Sequence, residues 1–295
     1  MALFKNISEI QAFMAVNITA VFETILPYIN QAENKFIKNI LGEDLLKELQ
    51  DFFDIGSMPD EYEALLEKVQ MPLINFAYYL SVSNLNLQIT GSGFVVTQTQ
   101  NQAPASRYRT DDLKADLQKA AYDGIEILLD FLEENKEDYT LWISSDAYTE
   151  HYRFFVKDAL DFHCEVNIDK SRRKFLEMRQ SMKNIETLQI EPVISKALAD
   201  AIKAEIKLDT VSVANQKILT HLKSACANLT AAKEIDPKFE EIGQHYLSEV
   251  KLLLDAAPDD YPIYKASDCY DEDKTTNNLY ENDEDSHLFV MGGPR

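Results

Sequence analysis

The chain has 295 residues but only eight glycines and nine prolines, too little punctuation for a turn-rich β-protein or a low-complexity linker. Its three cysteines, Cys164, Cys226 and Cys269, are widely spaced and form no CxxC pair. That spacing excludes a disulfide framework and a cysteine-based zinc site, and leaves ordinary reduced thiols. Apolar runs are short, and none approaches the roughly 20 residues that cross a bilayer. The opening Met-Ala-Leu-Phe-Lys-Asn lacks the basic region and apolar run of a signal peptide. The expectation is a chain without a membrane partner that stays in the cytoplasm where it is made. Basic residues are also scarce, 29 against 50 acidic ones, for a formal net charge of -21. A surface of that sign repels phosphate and anionic lipid, which argues against sequence-general nucleic-acid binding over most of it. The same repulsion lets a duplex slide past such a wall without sticking.

The signatures of chemistry are missing as well. There is no GxGxxG, GxxxxGK[ST], GxSxG or HExxH, the patterns that cradle phosphate, expose a nucleophile or hold zinc. The five histidines, His151, His163, His221, His245 and His287, are scattered, and the adjacent His163 and Cys164 point apart on a helix. Paired carboxylates such as Glu133-Glu134 and Asp259-Asp260 read as solvated helix ends. The run Asp271-Glu272-Asp273 places Thr276 where a calcium loop needs glycine and Asn282 at its twelfth position. No catalytic residue, cofactor or metal is assigned, and the chain is not expected to be an enzyme.

What is present is helical periodicity in a sequence that is 45% apolar. From Glu61 to Ser81 the stripe Leu65, Leu66, Val69, Leu73, Phe76, Ala77 and Leu80 recurs at three- and four-residue steps, with a kink expected at Pro72. A second helix, Asp111 to Glu134, carries Leu113, Leu117, Ala121, Leu128 and Leu132 behind Thr110 as its cap. A third opens on Asp236-Pro237 and carries Phe239, Ile242, Tyr246, Val250 and Leu254. Tyr148, Tyr152, Phe155, Phe162 and Phe175 read as core, because aromatic rings bury large areas.

Three features depart from this pattern. Residues 85–99 alternate with period two on both sides of Thr90-Gly91-Ser92-Gly93, which predicts a β-hairpin. An isolated strand pair is marginal in water, so the hairpin either packs on its parent body or, through Leu87, Ile89, Phe94 and Val96, contacts a neighbouring molecule. The basic cluster Lys170-Arg172-Arg173-Lys174 stands on an acidic background. It reads as a solvated helix start or, through Arg172 and Arg173, as a contact to an acidic partner surface or to DNA phosphate. From residue 271 the chain turns polar and acidic, then carries Leu288, Phe289, Val290 and Met291 near its end. That composition predicts an acidic, flexible C-terminal arm, 271–295, which is either an untethered tail or an arm whose apolar tetrapeptide orders on docking to a neighbour.

Some phrases occur twice. Asp138-Tyr139 followed by Ser145-Asp146-Ala147-Tyr148 matches Asp260-Tyr261 followed by Ser267-Asp268-Cys269-Tyr270 at constant offset. Glu23-Thr24 through Ile29 echoes Glu186-Thr187 through Ile194 in the same order. The predicted fold is therefore mainly α: a duplicated helical-bundle unit with one β-hairpin insertion and an extended acidic C-terminal arm. The first unit is expected over 1–160, with the hairpin at about 85–99, and the second over 161–270.

Pro27-Tyr28-Ile29 with Ala32-Glu33 and Phe36-Ile37, Leu41-Gly42, Asn75 to Tyr79, the hairpin with Gly91 and Gly93, and Leu132 to Asn135 leading to Tyr139-Thr140-Leu141-Trp142 form a further pattern. Over residues 1–200 it resembles a family of tailed phages and prophages of gut bacteria, whose helical units are similar to head-to-tail connectors. The resemblance implies a structural virion protein, a head-completion or adaptor ring that docks on a portal. Its implied partners are copies of itself, the portal, neighbouring tail or connector proteins, and DNA that passes the lumen without specific binding. Small connectors have about one such unit, so the duplication and the long tail depart from that pattern. The alternative, from a different class, is a cytoplasmic protein-binding adaptor or regulator of phage or prophage origin.

Overall fold

The three- and four-residue apolar recurrence is realised as helices. A computed structural model describes residues 2–15, 21–85, 87–90, 93–96 and 106–271, and over these the protein is mainly helical. The described residues fall into two compact units, unit 1 up to Arg179 and unit 2 from Gln180.

In unit 1, α1 (Ile7–Gln11) is capped by the Asn6 side chain on Glu9 N. The long element after it has three pieces: α2 (Phe22–Ala32), a π-helical turn (Glu33–Ile37) and α3 (Lys38–Leu41). Gly42, at φ 82, separates it from α4 (Glu43–Ile55). Helix α5 (Asp60–Leu85) precedes two short strands, β1 (Leu87–Thr90) and β2 (Gly93–Val96), paired antiparallel with Leu87 opposite Val96 and Thr90 opposite Gly93. Then come α6 (Arg107–Glu134), α7 (Thr140–Ile143), α8 (Asp146–His151), α9 (Ala159–Glu165) and α10 (Arg172–Ile185). Unit 2 has a second π-helical turn (Glu186–Ile190), α11 (Glu191–Ile194), α12 (Lys196–Lys207), α13 (Val213–Glu234), α14 (Phe239–Ala256) and α15 (Pro262–Lys265).

The expected stripes form the cores. Leu65, Val69, Leu73, Phe76 and Ala77 are buried on α5, and Leu117, Ala121, Leu128 and Leu132 on α6. On α14, Val250 and Leu254 of the expected stripe are buried, Phe239 and Tyr246 are half-buried, and Leu247, outside the expected stripe, is buried with them. Leu113 and Ile242 are corrections: both are exposed, at 49% and 44%. Beside Ile242 it is Gly243 that packs on α13, against Leu229.

Capping also differs from expectation. α6 starts four residues early, with Ser106 at its N-cap, so that Thr110 lies inside the helix and its hydroxyl donates back to Ser106 O. Asp236 caps no helix. Its carboxylate accepts from Lys238 N, and α14 begins only at Phe239. The first unit extends past residue 160, because Phe162, Phe175 and Met178 are buried and group with it.

One local arrangement occurs in both units. A π turn holds one residue more than an α turn and so rotates the helix beyond it. In both cases the glutamate that opens it is turned inward: Glu33 is 4% exposed and Glu186 3%. Gln50 Nε2 donates to Glu33, and Lys203 Nζ lies 2.6 Å from Glu186 Oε2, each partner 17 residues further along the chain. The residue closing the next helical turn has positive φ in each unit, Gly42 at 82° and Ser195 at 72°, and both precede an amphipathic helix. This recurrence aligns Glu186 with Glu33, not with Glu23 as the sequence echo had it.

Candidate functional site

The Asp-Tyr and Ser-Asp-x-Tyr phrases build a corner whose polar atoms are tied to main-chain carbonyls. In unit 1 the Tyr139 hydroxyl donates to Glu61 O at 2.7 Å, and Trp142 Nε1 donates to Ile40 O at 2.9 Å. The Ser145 hydroxyl donates to Trp142 O at 2.6 Å and accepts from Tyr148 N at 3.2 Å. Tyr139, Trp142 and Tyr148 are buried, and a buried ring whose polar end finds a carbonyl keeps its hydrogen bond. The corner presses on the junction of α3 and α4: a Cβ on Gly42 would stand 2.7 Å from Ser145 Cβ.

Unit 2 builds the same corner. The Tyr261 hydroxyl donates to Ala214 O at 2.8 Å, and the Ser267 hydroxyl to Tyr264 O at 2.6 Å. Ala214 stands after Glu61 by the interval that separates Glu186 from Glu33. Tyr264 stands where unit 1 has Trp142, and its hydroxyl donates to Asp255 Oδ1 at 2.5 Å.

Beside the unit 1 corner opens a cleft of about 760 Å³. Its floor is aromatic: Phe36 stacks on Phe76 at 3.8 Å between centroids and 7° between planes, and Tyr122 meets Phe76 edge-on at 5.2 Å. Lys157, Arg172, Phe175 and Arg179, from the chain beyond the corner, line it as well. That chain is fixed along one face of α6. Arg173 Nη1 donates to Gln118 Oε1 at 3.0 Å, Arg172 Nη1 stands 3.1 Å from Glu126 Oε1, and Lys157 Nζ is 2.5 Å from Glu133 Oε2.

The electrostatics arise from this packing. Burial pushes the Glu126 carboxyl up to about 7, with Arg172 opposing it only in part. Burial also acts on Glu133, but the hydrogen bonds from His151 and Lys157 outweigh it and hold that carboxyl at about 2. Arg179, 2.8 Å from Glu150, is lowered by burial. The cleft thus offers an apolar floor and a rim of paired charges. Among the described residues, no group of three or more His, Cys, Asp or Glu is placed to hold a metal ion.

Unit 2 has a smaller groove of about 480 Å³ in the equivalent place. Val193, Leu247 and Cys269 occupy the positions that Ile40, Ile125 and Ala147 hold in the unit 1 cleft. Leu252, on its lip, is 60% exposed.

Of the residues selected from sequence, Arg172 is corrected as a surface contact. It is 5% exposed, because its guanidinium turns inward to a carboxylate that would otherwise be buried alone. Its Nε has no hydrogen-bond partner among the described residues. Arg173 is exposed and also pairs with Glu177 at 2.9 Å, and Lys174 with Asp169 at 2.7 Å. The side chains of Leu87, Ile89, Phe94 and Val96 lie outside the described residues, as do Leu288, Phe289, Val290 and Met291. Sequence reasoning missed Glu33, Gln50, Glu186 and Lys203. Their identical spacing was the available signal.

No helix among the described residues is long and apolar enough to cross a membrane. No curated protein and no solved structure gives a significant match to the chain. The model of a family of unknown function, DUF6712, matches residues 37–152 and 232–274, stretches that include both corners, and the chain belongs to that family.

Proposed function

We propose that the chain is a structural virion protein, a head-to-tail connector or adaptor that forms an oligomeric ring beneath a portal and lets DNA pass. On this reading the fold is a duplicated helical unit, with β1 and β2 inserted in the first copy and an acidic arm after the second. The observation that supports it most is the groove built twice beside equivalent corners. The tyrosine, tryptophan and serine polar atoms there are occupied in holding the chain's own backbone. What remains open to a partner is apolar surface with a charged rim, which recognises polypeptide by shape and burial. The strand pair offers main-chain donors and acceptors for strand addition, and the acidic surface keeps a passing polyanion from sticking.

Mass spectrometry of purified particles tests this. The chain is expected in them together with the portal. Its absence from particles, with recovery only on host proteins, would replace the connector with the cytoplasmic adaptor.

A further inference from the structure

The chain beyond the unit 1 corner walls the groove beside it. In unit 1 the next residues return to the body: Tyr152, Phe154, Phe155, Val156 and Phe162 are buried, and Lys157 and Arg172 reach Glu133 and Glu126 on α6. In unit 2 the positions of Glu126, Leu129 and Asp130 are taken by Ser248, Lys251 and Leu252 on α14, beside the groove. The remaining chain is residues 272–295, and within it Leu288-Phe289-Val290-Met291 is the one run of four consecutive apolar side chains.

We propose that the unit 2 groove lined by Val193, Leu247, Leu252 and Cys269 receives Leu288–Met291 of the same chain. Four considerations support this occupant. The equivalent groove is walled by the chain leaving its own corner, so the precedent lies within the molecule. Cys269 lines the groove and stands two residues before the tether begins. The tether from Asp271 to Leu288 reaches at most about 60 Å, ample to return to where it started. A tethered segment also meets its site at an effective concentration of about millimolar, which favours its own groove over that of another copy in dilute solution. The inference goes beyond the connector reading and does not need it; a segment held this way can be exchanged between copies when a ring forms.

The test uses the full chain carrying Cys164→Ser, so that the exposed thiol cannot compete. Phe289→Cys is compared with Asp285→Cys, which lies nearer the tether's origin. Under mild oxidation, peptide mapping should find the thiol introduced at 289 joined to Cys269 about tenfold faster than the one at 285, because disulfides demand close Cβ approach. Mixing isotopically light and heavy copies should give links within one chain. Leu252→Asp, at an exposed position, should abolish the preference without moving the thermal transition. Equal rates at 285 and 289, or links only between light and heavy copies, would overturn the proposal. Either result leaves the presence of the chain in particles to be judged separately.

Discussion

The buried glutamates of the two π turns occupy the same place and meet different partners. Glu33 faces the neutral amide of Gln50, and burial pushes its carboxyl up to about 7. Glu186 faces the ammonium of Lys203 at 2.6 Å. One backbone arrangement therefore tolerates either a carboxyl that keeps its proton readily or a buried ion pair. What the fold demands at this point is a long polar side chain reaching from the next helix, and the charge state is settled locally.

That contrast can be broken most severely in unit 2. Lys203→Met leaves Glu186 buried without its counter-charge and should cost about 3–5 kcal/mol. Gln50→Met removes one hydrogen bond from a carboxyl that can take up a proton, and should cost about 1–2 kcal/mol. Urea unfolding of the two variants checks the difference, and equal losses would mean that the charge on Lys203 is irrelevant.

A smaller effect should appear in the pH dependence. Glu33 has a folded value of about 7 against an ordinary 4.5, so between those limits the folded state holds more protons than the unfolded one. Its contribution is fully present below pH 4.5 and is lost as pH rises through 7, about 3 kcal/mol in all. Glu126 acts with the same sign in the same window. Glu133, held at about 2, acts oppositely: its contribution is present above 4.5 and is lost as pH falls through 2. Unfolding free energies for Glu33→Gln should therefore fall less steeply from pH 5 to 7 than those of the unaltered chain. An unchanged slope would remove Glu33 from the account.

The smallest prediction concerns the corners, where the units are alike. Tyr139→Phe frees Glu61 O and Tyr261→Phe frees Ala214 O, and each should cost about 1 kcal/mol. Markedly unequal losses by thermal melting would show that the corners are less equivalent than their geometry.

The corners were legible in the sequence because Asp138-Tyr139 and Asp260-Tyr261 recur with their serines at fixed spacing. The long helices were legible for a related reason: Leu65 through Ala77 on α5, and Val250 with Leu254 on α14, keep the helical period into buried positions. The π turns were hidden because the extra residue breaks that period. The shared Glu-Thr pair then drew Glu186 into register with Glu23. Arg172 was misread for a tertiary reason, since its burial depends on Glu126, far off in sequence. The groove in unit 2 left no local signal, being the gap between Pro192-Val193 and α14.

Mass photometry of the purified full chain, alone and with its portal, addresses the proposed function most directly. The account predicts ring-sized particles that bind the portal. A strictly monomeric chain with no portal affinity would contradict it.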